Sequence, residues 1–268
     1  FGYIGVYRSD DGGVSWSLPN GPVGGPYTTS HANLAIGWPE WTYHQGFYNC
    51  ALMASPTNPD EILVGGLNCY KSTDGGLTWK NVLYVDENSG CSDLNMDPNN
   101  PRILYAAMWD HRRLPWAVQS GGKGSGLYKS TDGGETWFKI QNGLPNELGK
   151  MGISVSKANS EKVYALVESD TEKEQGGLFV SNDGGDNWNR VSKDHRLISR
   201  AWYYIEVFAD PVDENTVYVM GAAGLKSADG GKTWSNISGT HGDYHQLWIN
   251  KADNQNMVIA NDGGAAVT

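Results

Sequence analysis

The sequence predicts an all-β propeller, in which four-stranded antiparallel sheets are stacked as blades around a central axis. Three observations lead to this prediction. A short run that ends in Trp occurs five times, and a strand–turn–strand pattern alternates with it. In addition, no part of the 268 residues has the apolar spacing of an amphipathic helix.

The recurring run has the form Ser-x-Asp-Gly-Gly-x-Thr-Trp, with small variations. Ser and Asp side chains hydrogen-bond to backbone N–H groups of tight turns, and a Gly pair adopts positive φ without steric cost. Each copy therefore predicts the turn between the third and fourth strands of a blade. Successive copies begin 63, 58, 51 and 46 residues apart, which suits one blade plus a variable loop. The copies occupy residues 9–16, 72–79, 130–137, 181–188 and 227–234.

The second pattern supplies the first two strands of each unit. Examples are "ALMASPTNPDEILVGG" from residue 51 and "ISVSKANSEKVYALVE" from residue 153, each a strand, a polar turn and a strand. The segments "GLYKS" and "TWFKI" on either side of one recurring run predict the third and fourth strands. Runs such as "ILYAAMW" are apolar throughout, as expected for a sheet covered on both faces by neighbouring blades.

The recurring run resembles the Asp box, or BNR repeat, of sialidases, xyloglucanases and sortilin-type propellers, and is called the Asp box below. From about residue 82 to residue 268 the chain is similar to bacterial secreted proteins described as glycosyl hydrolase-like or sortilin-like. Segments such as "RAWYYIEVFADP" and "WAVQSGGKGSGLYKSTDGG" carry this similarity. The resemblance implies that the boxes are structural and lie away from the functional site. It also implies secretion or display at the cell surface, in an extracellular or periplasmic location.

The resemblance implies a ring of about six or seven blades, which we expect to form a single domain over residues 1–268. The final "NDGGAAVT" resembles the strand before another box, so part of the ring is expected to be absent from this chain. The chain has no initiator Met and no leader-like segment, and we therefore expect a mature or trimmed piece.

Bulk properties exclude two classes of partner. The net charge of -10, without a cluster of Lys and Arg, argues against nucleic acid. No apolar run reaches the roughly 18 residues that a membrane span needs. Three cysteines, Cys50, Cys69 and Cys91, allow either one disulfide with a free thiol or three thiols. No cofactor is expected.

Blade topology places the functional loops on the face opposite the boxes, and two of these loops are long, residues 18–48 and 110–126. Exposed aromatic side chains on such a face stack on sugar rings. The alternative is that they only pack the long loops against the blades. The predicted aromatic binding residues are Trp38, Trp41, Trp116, Trp202 and Tyr203.

Asp93 and Asp243 each immediately precede a predicted inner strand, in different blades, and are the predicted catalytic pair. A glycosidase needs two such carboxyl groups, about 5 to 5.5 Å apart for retention or 6.5 to 9.5 Å apart for inversion. Xyloglucanases that resemble this fold use two Asp, although their surrounding motifs do not match here. The alternative is that each Asp caps a turn.

Four further side chains are predicted to bind substrate. His111, Arg112 and Arg113 stand at the mouth of the second long loop, where paired Arg side chains suit a carboxylate or sulfate group. Their alternative role is to pin that loop to neighbouring Asp residues. His245 is the fourth, in "HGDYH". This short His/Asp pattern also occurs in metal sites, but we predict no metal here.

These features predict a secreted or cell-surface propeller that recognises a polysaccharide or glycan, with glycoside hydrolysis by two carboxylates as its catalytic form. The alternative is a non-catalytic, sortilin-like module that binds a protein or peptide, or has a structural role. Whether the protein is an enzyme is left open. A sialidase is not supported. Sialidases need three Arg from separate blades and an early Arg-Ile-Pro motif, whereas this sequence has seven Arg in all, of which Arg112 and Arg113 share one loop, and lacks that motif.

Overall fold

The structure is a computed structural model that describes residues 5–19, 51–169 and 175–268. It contains twenty β-strands and a short 3-10 helix, His195–Ile198, and no α-helix occurs in these ranges. The strands form antiparallel blades, so the predicted all-β propeller is confirmed.

The first two blades are joined edge to edge by the pairing of Asn68 with Gly90. A hairpin extends the second blade beyond its four strands, because the second strand of that blade continues past the sheet and pairs with an additional short strand. The strands of the first blade are β1 (Ala51–Ala54), β2 (Ile62–Gly66), β3 (Asn68–Ser72) and β4 (Lys80–Leu83). Those of the second are β5 (Ser89–Asp97), β6 (Asn100–Leu114), β7 (Ala117–Ser120), β8 (Gly126–Ser130) and β9 (Phe138–Ile140).

The remaining three blades follow in chain order, and each pairs its strands sequentially. The third consists of β10 (Met151–Val155), β11 (Val163–Val167), β12 (Gly177–Ser181) and β13 (Asn189–Ser192). The fourth consists of β14 (Glu206–Ala209), β15 (Val217–Met220), β16 (Leu225–Ser227) and β17 (Ser235–Asn236). The fifth has three strands, β18 (Tyr244–Ile249), β19 (Met257–Asn261) and β20 (Gly264–Val267).

The described chain therefore forms five blades, fewer than the six or seven expected for a full ring. The first Asp box stands apart from these blades, in a small hairpin closed by the pairing of Arg8 with Ser17. This hairpin packs on the first blade, where Val6 contacts the buried pair Ile62 and Val64.

The first strand of each blade is the inner strand. The inner strands β1, β5, β10, β14 and β18 contact one another in succession, as strands around an axis must. Every residue of β10, β11 and β12 is buried, because the third blade has a neighbour on each face. The apolar runs of the sequence thus mark strands buried between blades, as predicted.

All five Asp boxes form the predicted turn. In the box at 130–137, Ser130 Oγ accepts from the N–H of Gly134 at 2.8 Å, and the Asp132 carboxylate accepts from Thr136 N at 2.9 Å. Trp137 closes the turn by donating its indole N–H to the carbonyl of Gly134 at 3.1 Å. Both Gly of every box have positive φ, between 67° and 93°.

The boxes also contact the preceding blade. Lys71, in β3 of the first blade, lies 3.0 Å from the Glu135 carboxylate and donates to the carbonyl of Gly133, both in the box of the second blade. Lys129 of the second blade holds the equivalent position against Asp186 of the third, at 3.0 Å. The face that carries the boxes is therefore tied together across blades.

Candidate functional site

The face opposite the Asp boxes is called the upper face. It carries the segments that lead from one blade into the inner strand of the next, and the connections between second and third strands. The lead-in segments are residues 84–88, 141–150, 193–205 and 237–243.

Asp93 and Glu206 occupy equivalent positions in the inner strands of the second and fourth blades. Each lies four residues before an aspartate, Asp97 or Asp210, whose side chain caps the first turn of its blade. Gly152 holds the equivalent position in the third blade, between them. A Cβ on Gly152 would lie 3.3 Å from the Glu206 backbone, so its absence leaves room for the inner strands to approach closely.

Asp93 also joins two blades. Its Oδ2 atom accepts a hydrogen bond from the backbone N–H of Ile153, in β10, at 2.8 Å. The neighbouring Ser92 donates from Oγ to the carbonyl of Met151 at 3.2 Å. The carboxylate is thereby fixed beside the third blade, where it lies near Lys150.

Lys150 immediately precedes β10 and is only 6% exposed. Its ammonium lies 5.1 Å from the centroid of the Trp109 ring and 5.4 Å from that of the Tyr204 ring. Burial lowers the pKa of Lys150, and the negative charges of Asp93 and Glu168, with that of Glu206 when it is ionised, oppose this shift. A buried ammonium needs such partners, and aromatic faces add to them. These residues are called the Lys150 cluster: Asp93, Trp109, Lys150, Glu168, Tyr204 and Glu206.

The two strand carboxyl groups of the cluster have different proton affinities. Burial raises the pKa of Asp93 to about 6, opposed by the N–H groups of Ile153 and Leu94 and by the Lys150 charge. Burial and the Asp93 charge raise the pKa of Glu206 to about 8, opposed by a hydrogen bond to Tyr204 and by Lys150. Near neutral pH, Asp93 is therefore ionised while Glu206 keeps its proton.

Glu168 connects the cluster to the β6–β7 hairpin. Its carboxylate accepts from the backbone N–H of Lys150 at 3.0 Å and from the hydroxyl of Ser120, at the end of β7. The Trp109 indole donates to the same hydroxyl at 3.2 Å. The hairpin is therefore anchored at its base beside Lys150.

A second polar group flanks the cluster on the side of the fifth blade. The Tyr204 ring lies 4.9 Å from the ring of His245, whose Nε2 atom lies within hydrogen-bonding distance of the Asp262 carboxylate, at 2.6 Å. Arg200 and Asp243 form a longer pair of 3.6 Å, and both have positive φ, 59° and 53°. Residues other than Gly rarely adopt positive φ, and those that do often lie at functional sites.

The predicted loop at 110–126 is mostly a β-hairpin, and its residues divide into two groups. His111 is buried at the base, where it stacks on Trp109 with ring centroids 4.0 Å apart and bonds through Nδ1 to the carbonyl of Gln119. Burial lowers the pKa of His111 to about 4, so its ring is neutral at pH 7. Arg112, Arg113 and Trp116 are exposed towards the tip, Trp116 by 79%.

A cavity of about 310 Å³ lies between the end of β11 and the segment that leads into the fourth blade. Glu168 of the Lys150 cluster lines one side, and Arg200 and Trp202 line the other. Trp202 packs edge-on against Tyr203, with centroids 6.1 Å apart. The cavity thus joins the cluster to the aromatic residues predicted to bind substrate.

The structure brings several predicted site residues into one region. Asp93 belongs to the Lys150 cluster, and Asp243 pairs with Arg200 on its flank. Trp202, Tyr203 and His245 lie on the same side, whereas Arg112, Arg113 and Trp116 extend away on the hairpin and His111 packs beneath it. Trp38 and Trp41 lie outside the described residues. The functional roles of all these residues remain predictions.

Sequence reasoning missed Lys150, Glu168 and Glu206. A signal for Glu206 was present, because aligning the repeats on Asp97 and Asp210 places it opposite Asp93. No comparable signal marks Lys150, whose surroundings come from three blades.

Two further properties concern only residues 5–19, 51–169 and 175–268. No group of three or more His, Cys, Asp or Glu side chains in these ranges has an arrangement suited to a metal ion. None of their helices has the length and apolar character needed to cross a membrane.

Curated proteins similar to the chain include two xyloglucanases. It is 25% identical over 236 residues to a xyloglucanase of a Paenibacillus species, covering 79% of this chain and 21% of that protein. It is 29% identical over 210 residues to the oligoxyloglucan-reducing end-specific xyloglucanase of Emericella nidulans, covering 72% and 24%. The chain therefore spans about a fifth to a quarter of the length of these relatives.

Similar solved structures support the fold. An ancestral GH74 enzyme matches 96% of this chain and 32% of its own, with a TM-score of 0.64 and 17% identity. The GH74 xyloglucanase of Xanthomonas campestris matches 99% and 54%, with a TM-score of 0.57 and 16% identity. At this identity, the likeness establishes the shared propeller architecture alone.

Two family matches confirm the resemblance drawn from the Asp boxes. The BNR/Asp-box repeat matches residues 7–18. The sequence model of the Sortilin-Vps10 family, described as sortilin, neurotensin receptor 3, matches residues 67–224. This match covers more than half of the chain, from just before the third strand of the first blade into the fourth blade, and the chain therefore belongs to the Sortilin-Vps10 family.

Proposed function

We propose that the protein binds a polysaccharide on its upper face. The proposal is supported by the similarity of the chain to proteins named xyloglucanases and by exposed aromatic side chains on the upper face. Trp116 and Tyr203 are 79% and 51% exposed, and faces of this kind stack on sugar rings. A xyloglucan-type polysaccharide is the ligand class that we propose first.

The observation that carries a catalytic form of this function is the pairing of Asp93 with Glu206. Glycoside hydrolysis needs one carboxyl group that holds a proton and one that is ionised. At neutral pH, Glu206 has the first state and Asp93 the second. In the proposed reaction, Glu206 donates its proton to the departing glycosidic oxygen, and Asp93 accepts a proton from the attacking water. The Lys150 ammonium and the Ile153 N–H keep Asp93 ionised.

Asp243 is retained as the sequence-based candidate for the partner of Asp93. It lies on the flank of the cluster, and its carboxylate is paired with Arg200 at 3.6 Å. In this arrangement Asp243 is suited to orient a bound sugar through its second oxygen. Separate variants of Glu206 and Asp243 distinguish the two candidates for the acid.

The test measures binding and cleavage of xyloglucan, cellulose and xylan, by calorimetry and by the release of reducing ends. Asp93→Asn and Glu206→Gln are expected to abolish reducing-end release and to keep binding within about threefold. Asp186→Asn, in a box on the opposite face, serves as the matched control and should change neither property. Absence of binding to all three polysaccharides would overturn the proposal, and binding without release would limit it to recognition.

Binding of a protein or peptide is the second candidate function, and two observations favour it. The family match is to Sortilin-Vps10. The β6–β7 hairpin also exposes three apolar side chains, Leu114, Trp116 and Val118, by 46%, 79% and 42%. A peptide array probed with the protein tests this function. Trp116→Ser should remove peptide signals if the hairpin is the docking element, and unchanged signals would exclude the hairpin.

A further inference from the structure

Cys69 and Cys91 lie side by side where the first and second blades meet. Cys69 follows Asn68 in β3, and Cys91 follows Gly90 in β5; Asn68 and Gly90 are paired in parallel. Gly65 of β2 is the strand partner of Cys69, and a Cβ on Gly65 would lie 2.8 Å from the Cys91 sulfur, so the two cysteines stand beside each other. Disulfides need Cα atoms about 4.4 to 6.8 Å apart, and neighbouring strands, about 4.8 Å apart, suit this spacing.

The two thiols are in contact in a closed space. Both cysteines are fully buried, at 0% exposure, and burial together with the neighbouring Cys69 thiol raises the pKa of Cys91. The Cys91 sulfur also lies 3.2 Å from the carbonyl of Asp93, and the Cys69 sulfur lies 3.8 Å from the Met108 sulfur. Gly65 provides the room, because a Cβ there would lie 2.8 Å from the Cys91 sulfur.

We propose that Cys69 and Cys91 form a disulfide that links the first two blades when the chain folds under oxidising conditions. The link joins the third strand of one blade to the inner strand of the next, which carries Asp93 two residues further on. It therefore fixes the junction between blades two residues from Asp93 of the Lys150 cluster. This inference does not depend on the proposed carbohydrate function.

The oxidant that we propose is a low-molecular-weight disulfide. The thiolate of one cysteine attacks it, forms a mixed disulfide and releases one small thiolate. The second protein thiolate then attacks the sulfur of the first cysteine, forms the Cys69–Cys91 bond and displaces the other small thiolate. The protons lost by the two cysteines appear on the two released thiols, so the protein is oxidised by two electrons and the small disulfide is reduced by two.

Burial determines when this reaction occurs. The folded protein encloses both sulfurs, and burial raises the pKa of the Cys91 thiol, which reduces its thiolate fraction. The exchange is therefore expected while the chain folds, before the two blades close over the sulfurs. A chain first folded with reduced cysteines should react with the same oxidant at least tenfold more slowly.

The test is refolding of the whole chain in oxidised and reduced glutathione, followed by blocking of free thiols with N-ethylmaleimide in denaturant. Digestion with trypsin and a protease specific for acidic residues separates all three cysteines, since cuts after Glu61 and Lys80 isolate the Cys69 segment. The expected product is a Cys69 peptide joined to a Cys91 peptide, split by reduction. Recovery of both peptides carrying the maleimide, or linkage of either one to Cys50, would overturn the proposal.

Two variants provide controls. Cys50→Ala should retain the cross-linked peptide pair in full, because Cys50 takes no part in it. Cys91→Ala should leave Cys69 open to the maleimide. If that variant does not fold, the peptide map of the unaltered chain decides the question alone.

Discussion

The Oδ2 atom of Asp93 accepts a hydrogen bond from the backbone N–H of Ile153 at 2.8 Å, which joins the inner strands of two successive blades. The same carboxylate stabilises the charge of Lys150 and raises the pKa of Glu206. Asp93 therefore has a structural role beside its proposed chemical one. Substitutions that separate the charge from the hydrogen bond distinguish these two roles.

Asparagine and alanine at position 93 are expected to differ in stability. The amide oxygen of Asp93→Asn keeps an acceptor for the Ile153 N–H, so its unfolding free energy should stay within about 1 kcal/mol of the unaltered protein. Asp93→Ala leaves that N–H unpaired between blades and should cost about 1 to 3 kcal/mol. Urea unfolding at pH 7 measures both. Equal losses in the two variants would contradict the structural role of the hydrogen bond.

Stability is expected to fall as the pH rises from about 6.5 to 8. The folded-state pKa of Glu206 is raised to about 8 by burial, whereas an unfolded Glu has a pKa of about 4.3. The folded state therefore holds more protons than the unfolded chain in this range, and the free energy of unfolding decreases with pH. A single titrating group changes the free energy of unfolding by at most about 1.4 kcal/mol per pH unit. Partial solvent exposure of Glu206 lowers this value.

Below this window other groups intervene. The lowered pKa of His111, about 4, contributes stability that rises with pH between about 4 and 6.5, whereas the raised pKa values of Asp93 and Glu206 contribute stability that falls in the same range. The pKa of Asp11 is lowered to about 2 by hydrogen bonds within its box, led by that from Ser15, so its stabilisation is lost as the pH falls below about 4. Glu206→Gln should remove a contribution that extends from about pH 4.3 to 8, and an unchanged slope between 6.5 and 8 would exclude Glu206 as the source of the decline.

The parts of the fold that could be predicted from the sequence are local ones. Each Asp box contains its own hydrogen-bond donors, acceptors and positive-φ glycines within eight residues, as Ser130 and Gly134 show. The number of blades was not predictable in this way, because ring closure depends on contacts between distant repeats. The sequence predicts a loop at 110–126, whereas the structure forms a hairpin there, because Glu168 from another blade holds its base.

The same distinction between local sequence signals and contacts between distant repeats applies to the site. Asp93 was found because a polar residue precedes an apolar strand, whereas Glu206 stands within the apolar run "YYIEVFADP" and its role depends on Asp93, in another blade. Lys150 gave no signal at all, because its burial is produced by Trp109 and Tyr204 from the blades on either side. A single repeat is therefore enough to predict its turn, but the site can be predicted only by comparing the repeats with one another.

Lys71 is expected to contribute more to stability than Lys80, although both bind Glu135. Lys71 is 7% exposed and also pairs with Glu61 at 2.7 Å, whereas Lys80 is 70% exposed. Lys71→Met removes charge-assisted bonds to the next blade and should cost about 1 to 3 kcal/mol. Lys80→Met should cost at most about 1 kcal/mol, as for other surface pairs. Thermal unfolding compares the stability of the two variants. Equal losses would show that burial does not determine how much each Lys–Glu135 contact contributes to stability.

Ser130 and Ser9 provide a test of the box turn, because they make the same bonds in different surroundings. Ser130 is fully buried, and Ser130→Ala leaves the Gly134 N–H without its acceptor, which should cost about 1 to 3 kcal/mol. In Ser9→Ala, the Gly13 N–H is exposed and can bind water instead, so little loss is expected. Polysaccharide binding should survive both changes, and its loss in a folded Ser130→Ala protein would place the boxes in the site.

Gly65 is expected to tolerate no side chain, because β2 passes directly under Cys91. A Cβ at Gly65 would lie 2.6 Å from the Cys91 Cβ and 3.1 Å from the Ala51 Cβ, so the first two blades must separate to admit it. Overpacking of this kind costs about 1 to 3 kcal/mol. Gly242→Ala is the matched control, since a Cβ there would meet only the Ala222 carbonyl, at 3.6 Å. Urea unfolding should show a loss for Gly65→Ala and none for the control. The displaced Cys91 sulfur should also lower the yield of the Cys69–Cys91 cross-link, whereas an unchanged yield would mean that the two blades meet differently from the arrangement described.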